Sequence, residues 1–179
     1  MNKRIENVTM YRYLLLYFLI YAFIGWVLET FYSYIILGHF TNRGFLFGPL
    51  CPIYGFGGVI LIRCLQKYKS KPLKLFIYSI IIFSLFEYVA GFILDAMFSA
   101  RWWDYSNDFL NLNGRISIFY SLAWGFIAIV FINIIHPFIV KIIKLILKKI
   151  PNFTQIIIIQ IAFIIVIVDF IFSSIKYLA

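Results

Sequence analysis

Charge is what this chain has least of. Lys, Arg, Asp and Glu make up 13% of its 179 residues, about half the roughly 25% of a soluble domain, and only seven residues are acidic. Cysteine is limited to Cys51 and Cys64. Their spacing fits neither a zinc ligand set nor a redox pair, so they read as thiols in apolar surroundings. Histidine is limited to His39 and His136, which fall on opposite membrane faces in the topology below, so no metal site is expected. Gly55-Phe56-Gly57-Gly58 is followed by no lysine and preceded by no strand, so it is not a phosphate loop, and the chain carries no ATPase motif of that kind. No serine stands in a nucleophile-elbow sequence, and neither a catalytic residue nor a cofactor is assigned.

Apolar residues are what is present, at 64% of the chain. The runs reach the ~20 residues a helix needs to cross ~30 Å of hydrocarbon. The expectation is an all-α, polytopic membrane protein in the cell membrane, bathed in the lipid bilayer. A transmembrane barrel needs alternating segments, and the stretch Ile156 to Val168 offers a lumen nothing polar but Gln160. Five spans are expected, at about 13–37, 46–65, 73–98, 116–136 and 153–175, within a single integral membrane domain covering 1–179. The first has no small-residue cleavage site and is too long for a signal-peptide core, so it is expected to remain as a working helix. Lys141, Lys144 and Lys148 share one helical stripe. Segment 138–149 therefore reads either as an amphipathic helix along the membrane surface or as an extension of the fourth span.

Orientation follows from the cations. With the N-terminus in the cytoplasm, twelve of the sixteen basic residues fall on the inner side, and Arg43, Arg101, Arg115 and Lys176 remain outside. The net charge of +9 is then an insertion signal and an attraction to anionic lipid, and no nucleic-acid partner is expected.

The same topology gathers the acids. Glu29, Glu87, Asp95 and Asp169 lie inside predicted spans, Asp104 and Asp108 in an outer loop, and Glu6 alone on the inner side. A carboxylate at the bilayer centre costs roughly 2.5 to 3.5 kcal/mol, so each needs a partner, a proton or a water-filled cavity. Arg43, Arg101 and Arg115 are the natural counter-charges, because a guanidinium can hold a carboxylate through two parallel hydrogen bonds. Glu87, Gly91 and Asp95 stand at i, i+4 and i+8, and Tyr21, Gly25 and Glu29 repeat the spacing. Each set places an acid and a glycine on one helix face, where a neighbour can approach closely. The expected ligand-binding or ion-pair cluster is Glu29, Asn42, Arg43, Glu87, Asp95, Asp104, Asn113 and Arg115, open to the outside; interhelical bridges that only hold helices together are the alternative.

Two prolines within four residues, Pro49 and Pro52, flanked by Gly44, Gly48 and Gly55, predict that the second span is broken or re-entrant at its outer end. Trp102, Trp103 and Tyr105 read as interface anchors. The loop from Asp104 to Arg115 is too short for a domain and reads as a lid beside the site.

Five blocks, in order and spacing, resemble a bacterial membrane family described as putative ABC transporter type IV. They are Gly25-Trp26-Val27-Leu28-Glu29; Asn42 through Gly55; Glu87-Tyr88-Val89-Ala90-Gly91; Trp103-Asp104-Tyr105-Ser106; and Asn113-Gly114-Arg115-Ile116 with Trp124-Gly125. The likeness covers about residues 23 to 125, and the family often carries glutamate where this chain has Asp95. It implies a permease-like membrane protein, with a separate ATP-binding subunit as the expected partner. Five helices enclose little, so a homo-oligomer or a partner membrane subunit is also expected. The functional expectation is a transport component with an outward-facing polar site. Two alternatives stay open: a membrane enzyme working on a lipid-linked or phosphorylated substrate by acid/base chemistry, and a non-transporting scaffold.

Overall fold

The computed structural model describes residues 3–178, with side chains from Met10 onward. Lys3, Arg4 and Glu6, used above for orientation, lie outside the residues whose side chains are described. The fold is mostly helical. Helix α1 spans Lys3–Leu37, α2 Pro52–Ile60, α3 Pro72–Phe98, α4 Ile118–Val130, α5 His136–Leu147 and α6 Asn152–Leu178. Four stretches among the described residues are long and apolar enough to cross a membrane: Met10–Leu37, Pro72–Phe98, Ile118–Leu147 and Asn152–Leu178. Their outer faces carry exposed Phe31, Leu85, Phe126, Ile165 and Phe172, an apolar surface that water would not tolerate and lipid does. This is the architecture of a multi-pass membrane protein.

The segment expected as span two is helical over a shorter stretch. Residues 39–51 are irregular, α2 begins at Pro52, and the helix continues as a π-helical turn, Leu61–Leu65, and a 3-10 turn, Gln66–Tyr68. Pro52 stands at the first helical position, where its missing N–H costs nothing. Past residue 130 the chain does not stop at His136-Pro137. A π turn, Phe131–Ile135, absorbs the break, and α5 carries the helix on to Leu147, which is the extension reading of segment 138–149. A two-stranded antiparallel hairpin, β1 Asn111–Leu112 with β2 Ile116–Ser117, is the small exception to an all-helical chain.

The described residues form two compact units, one made of the chain up to Val59 together with Lys144–Tyr177, the other of Ile60–Ile143. In the first unit, glycines let α1 and α2 come together. A Cβ on Gly25 would strike the Tyr54 ring, one on Gly55 the Phe18 ring, and one on Gly58 the Tyr21 ring. Small residues opposite large aromatics replace the hydrophobic drive that lipid does not supply. In the second unit, α3 packs along α4, where Gly125 receives Phe76, and the Ser84 hydroxyl donates to that of Ser121 at 2.7 Å.

Candidate functional site

Each unit contains an acid site built on the same plan. In the first, Gly25 makes room for Tyr54, and the Tyr54 hydroxyl donates to Glu29 Oε1 at 2.9 Å, one helical turn along from the glycine. In the second, Gly91 makes room for Trp103 and Arg115, and Arg115 Nη2 donates to Asp95 Oδ2 at 2.6 Å, again one turn along. The i, i+4 spacing of glycine and acid thus seats a partner side chain against the helix and delivers its polar end to the carboxylate.

The irregular segment of the first unit is held by polar contacts along its length. Trp26 Nε1 donates to Asn42 Oδ1 at 2.7 Å, and Asn42 Nδ2 donates to the Phe47 carbonyl at 2.9 Å. From α6, Asp169 accepts the backbone N–H groups of Phe47 at 2.9 Å and Gly48 at 2.8 Å, and the Ser173 hydroxyl at 3.0 Å. An acid inside a span is thereby matched by backbone donors that the prolines and turns leave without helical acceptors. Arg43 contributes its carbonyl, which the Cys51 thiol approaches at 3.8 Å. No ion pair joins the Arg43 side chain to a carboxylate among the described residues.

In the second unit the sharpest feature is Glu87, 6% exposed. Its Oε1 accepts from the Tyr105 hydroxyl at 2.9 Å, and its Oε2 from Trp124 Nε1 at 3.0 Å. Both donors are neutral, and both are fixed by stacking, Tyr105 on Tyr120 with centroids 4.2 Å apart and Trp124 on Phe83 at 5.1 Å. Asp95 differs. It takes the short contact from Arg115 and a longer one, 3.8 Å, from Arg101, which also lies 3.6 Å from Asp104. The Arg115 guanidinium sits over the rings of Tyr88 and Phe92 at 5.7 and 5.6 Å, a geometry that adds cation–π attraction.

Local sequence explains how the loop delivers these groups. Ser99 ends α3 in the left-handed conformation, its N–H bonded to the Asp95 carbonyl, and turns the chain toward Arg101 and Trp103. Asn113 and Gly114 have φ of 55° and 68°, and they reverse the chain between the two strands so that Arg115 returns to α3. These are the residue types that tolerate positive φ. Asn113 Nδ2 reaches the Tyr88 hydroxyl at 3.1 Å, and Trp103 Nε1 donates to the Arg115 carbonyl at 3.0 Å. Asp104 accepts from the Ser106 hydroxyl and backbone N–H; these bonds, with Arg101 nearby, hold its carboxyl below the ordinary aspartate range.

Of the expected cluster, Glu29, Asn42 and Arg43 belong to the first unit, and Glu87, Asp95, Asp104, Asn113 and Arg115 to the second. Within the second, Asp95, Asp104 and Arg115 share one ion-paired network through Arg101. The donors Tyr54, Tyr105 and Trp124 are neighbours of the carboxylates that charge counting passes over. The signal for them was available, since a Tyr or Trp in or beside a span needs a partner for its O–H or N–H.

No match was found among curated proteins or solved structures. A family model described as putative ABC-transporter type IV matches residues 16–174, and the chain belongs to that family.

Proposed function

We propose that the protein is a permease-like component of a membrane transport system, inserted in the cell membrane with its N-terminus in the cytoplasm and its acid sites toward the exterior. Family membership and the four apolar helices support this reading, and one observation carries it. Glu87 is buried in α3, yet both of its oxygens are held by neutral donors. A carboxylate there carries an insertion cost of roughly 2.5 to 3.5 kcal/mol, and neutral hydrogen bonds contribute no opposite charge. A proton, a cation or the positive group of a solute is what such a site takes up. Glu29 is half-buried and one of its oxygens is likewise held by a neutral donor, the Tyr54 hydroxyl.

In this reading Glu29 and Glu87 are the binding carboxylates. Asp95 is neutralised by Arg115, while Asn42, Arg43, Asp104 and Asn113 shape the surrounding polar surface. The Pro52–Tyr68 helix serves as a fifth, shorter span with a broken entrance, and the two units work as one integral membrane domain. Enclosure by so few helices calls for a second copy or a partner membrane subunit, and a separate ATP-binding subunit supplies energy.

A scaffold reading draws on the Asp95–Arg115 pair and the Asp169 contacts, since each ties elements of one unit together. Uptake of a panel of labelled solutes by cells carrying the wild type, Glu29→Gln or Glu87→Gln separates the two. Transport predicts lost accumulation with normal insertion and assembly, and normal uptake in both variants rules the roles out. Lost assembly favours the scaffold. Turnover of a lipid-linked substrate in detergent, with no gradient, would instead identify an enzyme.

A further inference from the structure

The two oxygens of Glu87 meet donors of different chemistry. Oε2 accepts from Trp124 Nε1 at 3.0 Å, and an indole N–H only donates, so it offers nothing to a proton or a cation. Oε1 accepts from the Tyr105 hydroxyl at 2.9 Å, a group that becomes an acceptor by turning about its C–O bond. The charged groups of the neighbouring elements are engaged or remote. Asp95, Arg101, Asp104 and Arg115 pair among themselves, Lys74 lies in the first turn of α3, Asp108 lies in the loop, and α4 carries no charged residue. The other titratable groups on these elements are the phenols Tyr88, which takes a bond from Asn113, and Tyr120, which stacks on Tyr105. A hard cation gathers about six to eight oxygen ligands, whereas the contacts of Glu87 add one hydroxyl oxygen to its own two. Among the described residues no three His, Cys, Asp or Glu side chains stand together as a metal-binding group. A solute ammonium would have to displace both donors from a residue only 6% exposed. A proton needs no room and displaces neither.

We propose that the species Glu87 takes up is a proton, placed on Oε1 and delivered through the Tyr105 hydroxyl. Tyr105 is partly exposed and belongs to the loop after α3, so it stands between the buried acid and the solvent side. In the step, the Tyr105 O–H proton passes to Oε1 while the Tyr105 oxygen takes a proton from hydronium, which leaves as water. The carboxylate becomes a neutral acid, and Tyr105 ends as a neutral phenol. The new O–H of Glu87 then donates to the Tyr105 oxygen, and Oε2 remains the carbonyl oxygen that accepts from Trp124. Trp124 thereby decides which oxygen is protonated, and Tyr105 is the relay. The inference deepens the transport reading by naming the species bound at Glu87, and it rests on that reading for its biological purpose.

The test is infrared difference spectroscopy of the purified full-length protein in lipid bilayers, with an isotope label on the carboxyl carbons of its three glutamates. The scan runs from about pH 4 to pH 9, between an ordinary and a fully buried glutamate. A carboxylic-acid C=O band that titrates in the wild type and is missing in Glu87→Gln is expected. Its midpoint stays in place when sodium, potassium or calcium is added. Trp124→Phe moves the band to higher frequency, because the C=O at Oε2 loses its hydrogen bond. Tyr105→Phe keeps the band but slows its appearance after a pH jump about 100-fold, the scale of a lost proton-transfer group. A residue that only held the loop in place would leave that rate unchanged. No titrating band from Glu87, a midpoint that moves with added cation, or a wild-type rate in Tyr105→Phe overturns the proposal. Uptake lost in Glu87→Gln without a titrating band sinks the proton and leaves the transport reading standing. A titrating band with normal uptake in Glu87→Gln upholds the proton site and sinks its role in transport.

Discussion

Asp169→Ala is the substitution whose cost can be worked most closely from the geometry. The carboxylate accepts Gly48 N–H at 2.8 Å in a part-buried position and Phe47 N–H at 2.9 Å in an exposed one. Phe47 keeps a second acceptor, the Ser173 hydroxyl at 3.1 Å, so the losses are the bond to Gly48 and the one accepted from the Ser173 hydroxyl, of which only the first bears on the Gly48 amide. A hydrogen bond to a charged group contributes about 1.5–3 kcal/mol. With a small addition for Phe47, about 2–3 kcal/mol of local stability is lost. Hydrogen exchange of the purified protein reads this directly, because local opening sets amide protection. At tenfold per 1.4 kcal/mol, the Gly48 amide exchanges about 30- to 150-fold faster, while amides in α3 are unchanged. Asp169→Asn should cost nearly as much, since its NH2 group would confront one of the two backbone donors. A change below about threefold at Gly48 in both variants would refute the idea that Asp169 organises the Asn42–Cys51 segment.

Gly91→Val presses on Trp103 and Arg115. It is expected to break the Asp95–Arg115 pair and to lower thermal stability by about as much as Asp95→Ala, with the two effects non-additive in a double-mutant cycle. Gly114→Ala forces a side chain into φ of 68° beside Ser106 and Asp104, at a cost of about 1–2 kcal/mol, measurable as a lower melting temperature in detergent. The Asp104 carboxyl is held below its ordinary value of 3.8 by Ser106 and then Arg101. A depressed acid stabilises the folded loop above its unfolded pKa and loses that contribution as pH falls through the folded value. Loop protection is therefore expected to be flat from pH 7 to 5 and to fall only below the ordinary aspartate range. A Ser106→Ala variant should lose it at higher pH.

Much of the fold was legible because hydropathy alone decides it. The stretches near 13–37, 73–98 and 153–175 all became long helices, and runs of Ile, Leu and Phe of that length have few other solutions in lipid. The proline-rich entrance before Pro52 was legible as irregular backbone for a different reason, the loss of donors at Pro49 and Pro52. The continuation through His136-Pro137 was legible only as one of two readings of segment 138–149, because proline also reads as a stop, and the π turn that accommodates it depends on packing rather than composition. The Asn113-Gly114 reversal carries a known turn signal, but two-residue strands are too short for periodicity to reveal. The i, i+4 pairing of glycine with acid marked the helix faces on which Tyr54 and Arg115 pack. Partner identity was hidden, because Tyr54 lies 25 positions from Glu29 and Trp124 lies 37 from Glu87, and only the folded chain brings them together.

The decisive measurement is solute uptake, per molecule inserted, for a series at Glu87. If the buried carboxylate takes up a proton or cation during transport, Glu87→Gln abolishes uptake and Glu87→Asp retains part of it. Tyr105→Phe, which removes one neutral donor, changes its pH dependence, and all three variants reach wild-type abundance and oligomeric state. Wild-type uptake by Glu87→Gln, or loss of uptake that tracks loss of assembly across the series, would contradict the account.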